Sequence, residues 1–445
     1  MSHNENYLHL AHGAFSGDLG LVKAALAAGA NVNGSPEQPF PPIVAAAMAD
    51  RPGMVNFLLD QGADAEKPVT QEVPCPTADI INTTIPGERA LHVAARSGKV
   101  EIVRLLLKRS RAGVNATDSK GFTPLMATCI CEFMFVEVVR LLLEAGADLT
   151  LAEGEGNIPL HVVAYCNHMD LVEMVYQGAP AMLNCCPANG ETPLYLACAK
   201  GHEKMVSKLL LLGARQPRRP NKTGKCPMRA AVIGRFMGVL RVLISEGGIR
   251  ACGERLLVLP ESMYYAVISH QARMLRMLLA DDGEEGAEER RPFWANFPVE
   301  GRYLLHYGAT HGCPAAVGVL LEAGADEAAP DSKGLIPLDV IGVVIGRLGA
   351  RMERGKEVAV RRMLQRGPAF RARSWAWPSD TEEADAGGSR DGDTAAAAAA
   401  AADAVLSSTP GVETPSVTGV RIFRPKEKGG SKFFVRLIGR YCAKE

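Results

Sequence analysis

Gly190-Glu191-Thr192-Pro193-Leu194-Tyr195-Leu196-Ala197-Cys198-Ala199-Lys200-Gly201-His202-Glu203 and the run Lys204 to Gly213 behind it read as two short helices joined by a tight turn. Thr192 is a side-chain cap, and Pro193 suits a first helical position, where its missing N–H is unpaired in any case. Gly201 offers a left-handed backbone where the first helix ends. Met205, Val206, Leu209 and Leu210 recur at helical spacing, so the second helix, Glu203 to Leu212, has one apolar face. Arg215 to Lys225 is polar and rich in Pro and Gly, as a projecting turn requires.

The same phrase returns along the chain as Leu91-His92-Val93-Ala94-Ala95, Thr123-Pro124-Leu125, Ile158-Pro159-Leu160-His161 and Cys226-Pro227-Met228. At the proline slot (Ala90, Pro124, Pro159, Pro193, Pro227) the steps are 34, 35, 34 and 34 residues. A fixed pitch of this length signals stacked repeats in place of one closed core. These residues resemble the ankyrin repeat. The resemblance implies an all-α solenoid of helix-turn-helix units with projecting fingers. About ten copies are expected over residues 5 to 370. Weaker ones lie at Leu8 to Asn33, Pro41 to Asp64, Met263 to Gly283 and Leu304 to Asp326, and a last one opens at Ile336-Pro337-Leu338-Asp339 and ends near Gly367.

Departures from the pitch mark loops, because a solenoid accepts insertions only there. Glu66 to Pro86 holds Pro68, Pro74, Pro76 and Pro86 and predicts an extended finger. The surplus in Asp281 to Phe297 opens on Asp281, Asp282, Glu284, Glu285, Glu288 and Glu289 and predicts a solvated loop. Two residues added in Ile130 to Phe135 lengthen an inter-helix turn and expose Phe133 or Phe135. Past the repeats, residues 371 to 420 form a low-complexity linker with the alanine tract 395 to 402. Residues 421 to 445 are a basic-apolar tail: eight Lys or Arg against two Glu, interleaved with Phe423, Phe433, Phe434 and Leu437. Such a tail suits docking, targeting or an anionic surface, or it is disordered.

Composition narrows the function. Lys and Arg number 49 and Asp and Glu 49, so no global field favours nucleic acid or a membrane. No apolar run reaches a membrane span and Met1 to Asn6 is polar, which predicts a cytoplasmic or nuclear protein without a leader. The eleven cysteines, several within repeat helices, are expected to be reduced and structural.

Motifs for chemistry fail on inspection. Gly154-Glu155-Gly156-Asn157-Ile158-Pro159 starts like a dinucleotide loop but ends in Pro, and Thr223-Gly224-Lys225-Cys226 lacks the rest of a phosphate loop. His161, Cys166 and His168 with Cys185 and Cys186 lack paired metal-ligand spacing, and His161 falls in the same slot as His92 and His306. His311 with Cys313 lacks an orienting third group. No catalytic residue, cofactor or metal is expected.

The resemblance implies binding through the concave face, where fingers and the ends of first helices gather. Carried over position by position, the partner-binding residues are Arg96, Lys120, Phe122, Glu153, Glu155, Tyr165, Glu191, Lys200, Arg218, Arg219, Lys222 and Lys225. Arg215 to Arg235 forms a basic patch suited to an acidic protein segment. The expected function is a non-catalytic, monomeric scaffold or adaptor for a protein partner. The alternatives are a substrate-recognition subunit of a ubiquitin ligase and, below it, an ankyrin-linked enzyme. Against the first alternative, Arg421 to Glu445 shows no leucine- and proline-patterned docking box.

Overall fold

The computed structural model describes residues 3–34, 41–71, 84–110, 112–131, 135–215, 225–245, 255–280, 287–341 and 354–371. Among them are 20 α-helices. The middle of the expected long finger, the acidic run 281–286, Phe133, the linker from 372 and the tail 421–445 lie outside the described residues. The chain divides into two compact units between Ala188 and Asn189.

In the first unit the helices are α1 (His3–Ser16), α2 (Leu19–Ala27), α3 (Pro42–Met48), α4 (Pro52–Asp60), α5 (Ala90–Arg96), α6 (Val100–Arg109), α7 (Pro124–Ile130), α8 (Val136–Glu144), α9 (Pro159–Cys166) and α10 (Met169–Gly178). The inner helices α1, α3, α5, α7 and α9 pack in that order, and α4, α6 and α8 form an outer row. Apart from α1, the inner helices are short and buried along nearly their whole length, which explains their Ala-rich sequences: Ala45, Ala46, Ala47, Ala94 and Ala95 are fully enclosed. Outer helices bury one stripe, as Ile102, Val103 and Leu106 show on α6 and Val138, Val139 and Leu142 on α8.

The second unit continues the pattern with α11 (Pro193–Lys200), α12 (Glu203–Leu211), α13 (Pro227–Ile233), α14 (Met237–Ser245), α15 (Arg255–Ile268), α16 (Ala272–Ala280), α17 (Ala287–Ala295), α18 (Leu304–His311), α19 (Pro314–Glu322) and α20 (Arg354–Arg371). Inner helices α11, α13, α15 and α18 pack in series, and α12, α14, α16 and α19 do the same outside them. A small antiparallel hairpin, β1 (Pro298–Val299) with β2 (Arg302–Tyr303), forms the finger before α18.

Local chemistry sets the helix boundaries as the sequence reading anticipates. Thr123 and Thr192 accept hydrogen bonds from the backbone N–H of Met126 and Tyr195 at 3.3 and 3.2 Å. At Arg89 and Ile158, where threonine is absent, the imidazole three residues on takes over: His92 Nδ1 accepts from Arg89 N and His161 Nδ1 from Ile158 N, each at 3.2 Å. Gly201 ends α11 at φ +78°, and its missing side chain leaves room for the Phe236 ring of the next repeat. α12 stops at Leu211, one residue short of the expected end.

Three expectations are corrected in the second unit. The surplus before the β1–β2 finger is not all solvated loop: residues 287–295 are helix α17, which packs on α16 and buries Trp294 and Ala295. The helix expected near Met263 begins at Arg255, extended by the buried Val258 and Leu259 and admitting Pro260 near its start. At Ile336 no helix forms; the Asp339 carboxylate accepts from Ile336 N at 3.1 Å and closes a single turn. α20 then runs to Arg371, one residue past the expected boundary.

Two glycines separate backbone strain from packing. Gly213→Ala, at φ +90° in open space, is expected to cost about 1 kcal/mol in urea unfolding. Gly201→Ala, which drives a methyl into Phe236, is expected to cost clearly more.

Candidate binding surface

Among the described residues, four fingers are each tied from inside by one side chain. Asp118 Oδ1 accepts from the N–H groups of Lys120 and Phe122 at 2.8 and 2.9 Å, and Asp118 N donates to Phe122 O at 3.0 Å. Glu153 does the same one repeat later: Oε2 accepts from Glu155 N at 2.9 Å, Oε1 from Asn157 N and Nδ2 at 3.2 and 2.6 Å. In the second unit Asp331 Oδ1 accepts from Lys333 N and Leu335 N at 2.8 and 3.0 Å, and Asn189 Oδ1 from Glu191 N at 3.0 Å. Burial raises the Asp118 carboxyl against these donors.

Successive fingers are linked through the inner-helix histidines. His92 Nε2 faces Phe122 O of the next finger at 3.1 Å, and His306 Nε2 faces Leu335 O at 2.9 Å. With Nδ1 accepting, His92 is the Nε2–H tautomer and donates to that carbonyl. Desolvation holds His92 down at about 4, and burial lowers His306 too, so both are neutral at pH 7.

The expected partner-binding residues separate into groups. Phe122, Glu153, Glu191, Arg96 and Tyr165 are buried, contrary to the exposed placement their repeat slots suggest. Glu153 holds its own turn, and Phe122 lies under the finger tip. Arg96 pairs with Glu88 at 3.2 Å, with side chains only 2% and 1% exposed, while Ile85 N donates to the same carboxylate at 2.8 Å. Lys120, Glu155, Lys200 and Lys225 are partly exposed. Arg218, Arg219 and Lys222 lie outside the described residues.

The expected basic patch is partly neutralised from within. Lys225 pairs with Glu191 and lies 5.6 Å over the Tyr195 ring. Arg229 pairs with Glu261 at 2.6 Å and lies 5.2 Å over Tyr265. Its acids come from the neighbouring finger and inner helix, about one repeat away in sequence. Arg215 and Arg235 remain exposed.

The sequence reading missed Asp118 and Asp331, whose Asp-Ser-Lys-Gly spelling before the proline slot was the available signal, and the exposed tip residues Ser332 and Lys333. The thiol of Cys313 meets His270 Nδ1 at 3.1 Å, while His311 Nδ1 faces Tyr307 O at 2.9 Å; burial pushes that thiol up to about 12, which leaves it protonated and unreactive. Among the described residues no three His, Cys, Asp or Glu side chains gather as a metal site, and no helix is long and apolar enough to cross a membrane.

The family model described as ankyrin repeats matches residues 71–153 and 160–254. Residues of this chain are 32% identical over 127 positions to the tyrosine-protein kinase HTK16 of Hydra vulgaris, covering 28% of this chain and 16% of that protein. They are 27% identical over 158 positions to the human transient receptor potential cation channel subfamily A member 1, covering 35% and 14%. With the human ankyrin repeat and SOCS box protein 16 they share 31% over 176 positions, covering 38% of each. The chain therefore spans well under two thirds of these relatives.

Arg96→Met, which strands Glu88 in the interior, is expected to lower the stability of the first unit by about 3–5 kcal/mol, and Glu88→Gln in the same chain to restore much of it. Urea unfolding of both variants is the check. The unfolded chain takes up a proton on His92 below its ordinary value near 6.5 that the folded one refuses until about 4. Stability should fall by up to about 3 kcal/mol as pH drops through that window, be flat above pH 7, and fall less steeply in His92→Gln.

Proposed function

The chain is an ankyrin-repeat protein, and from that premise we propose that it is a non-catalytic scaffold or adaptor that holds a protein partner on its fingers and inner-helix ends. Ankyrin repeats are generally protein-interaction modules. The observation that carries the reading is the internal tying of the described fingers. Asp118, Glu153 and Asp331 spend their carboxylates on their own turns. Lys120, Glu155 and Lys333 are thereby presented on fixed backbone, so little ordering entropy opposes binding. Arg218, Arg219 and Lys222, which follow the exposed Arg215 within seven residues of sequence, add positive charge that favours an acidic partner segment. We read the protein as monomeric and as cytoplasmic or nuclear.

A second reading, a substrate-recognition subunit of a ubiquitin ligase, is favoured by the similarity to the ankyrin repeat and SOCS box protein. There the fingers hold the substrate and residues 421–445 recruit the ligase.

Affinity purification from cell extract with quantitative mass spectrometry separates the readings. The full chain is compared with a chain ending at Ser379 and with Arg218→Glu plus Lys222→Glu. A scaffold should keep its partner without the tail and bind it at least about tenfold more weakly after charge reversal, a loss of roughly 1.4 kcal/mol. Ligase core subunits lost with the tail would instead select the second reading. Binding indifferent to charge reversal, to Lys120→Glu and to Glu155→Lys would remove the finger surface as the site.

A further inference from the structure

Cys185 and Cys186 are the only adjacent pair among the eleven cysteines of the chain. Five of the others, Cys129, Cys131, Cys198, Cys226 and Cys313, are buried and serve as small core residues. The thiols of Cys131 and Cys313 also donate to the carbonyls of Arg96 and Val267, each at 3.2 Å. Cys166 is half-exposed at the C-terminal end of α9, its thiol turned to Ile130 O at 3.9 Å. Cys185 and Cys186 stand instead in the non-helical limb that leads into a finger, and both are half-exposed.

The local backbone turns one of these sulfurs toward the other residue. The 3-10 turn Pro180–Asn184 closes with Cys185 N donating to Met182 O at 3.0 Å, and Cys185 leaves it at φ −55°, ψ 132°. Pro187 comes next, which disfavours helical backbone at Cys186. The N–H of Cys186 donates to the Cys185 sulfur, so that side chain lies along the chain toward its neighbour. Burial raises the Cys185 thiol, and the nearby Cys186 sulfur adds to the rise.

We propose that Cys185 and Cys186 form a reversible oxidation site, at which a hydroperoxide converts the two thiols into a vicinal disulfide. One thiolate attacks the peroxide: an S–O bond forms, the O–O bond breaks, and an alcohol leaves, or water where the oxidant is hydrogen peroxide. The neighbouring sulfur then displaces the sulfenic oxygen as water, and the S–S bond closes. Two electrons pass from the sulfurs to the peroxide, and both thiol protons end on its oxygens. Consecutive Cα atoms lie only about 3.8 Å apart, whereas ordinary disulfides span ~4.4–6.8 Å, so the closed ring is strained and easily reduced. A bond of that kind is labile and regulatory, and a reducing compartment reopens it. The chemistry does not depend on what the fingers hold.

The test uses the full chain, reduced, treated with a small excess of hydrogen peroxide and then blocked with N-ethylmaleimide in urea. Glutamyl endopeptidase, cutting after Glu173 and Glu191, releases the pair in a peptide with no other cysteine. By mass spectrometry that peptide should lose two hydrogens and take up no maleimide. It should do so at least about tenfold faster than the buried Cys129 and Cys198 lose their reactivity. Dithiothreitol added before blocking should restore both maleimide sites. Cys185→Ser and Cys186→Ser should each abolish the two-hydrogen loss. A pair that keeps both maleimide sites, or gains oxygen without losing two hydrogens, overturns the proposal. So does a cross-link from either thiol to Cys75, Cys252, Cys442 or a second chain.

Discussion

Burial of one helix pair against the next is the interaction on which everything else in each unit depends. A single pair such as α11 and α12 has too little apolar surface to offset its ordering entropy, and Leu194, Met205, Val206 and Leu209 are enclosed only because a neighbour lies against them. This requirement explains the narrow inner helices, where Ala46 and Ala95 allow close approach. It also explains why the chain's surplus residues fall mainly between helices, and why the exceptions, the longer α15 and the added α17, bury apolar side chains of their own.

Polar groups at the finger base do a second job that apolar stacking cannot. Backbone N–H groups in a tight turn have no helix or sheet partner, and a buried one costs free energy. Asp118, Glu153 and Asp331 satisfy those donors with a carboxylate, and His92 and His306 satisfy carbonyls of the following finger. The fingers' inner side chains are consumed by structure, while tip residues such as Ser332 and Lys333 stay at the surface.

Charge is handled differently in different parts of the chain, though the totals balance. Glu88 with Arg96, Glu191 with Lys225 and Glu261 with Arg229 are drawn into the interior or its margin as pairs. A buried pair adds little net stability but is costly to break, so such positions resist single substitution.

The sequence by itself determined the repeat, the helix starts at Thr123-Pro124 and Thr192-Pro193, the turn at Gly201 and the apolar stripes. These are local properties, fixed by capping, by backbone freedom and by periodicity within about ten residues. Only the tertiary structure decided which finger residues are exposed. Glu153 and Lys120 look equally polar in the sequence, yet one folds inward onto its own turn. Likewise Arg229 finds Glu261 and Lys225 finds Glu191 about one repeat away, and no local pattern encodes which side chains a stack brings face to face. Helix α17 belongs to the same class: its acidic opening reads as a loop, yet it packs on α16 as a helix and buries Trp294.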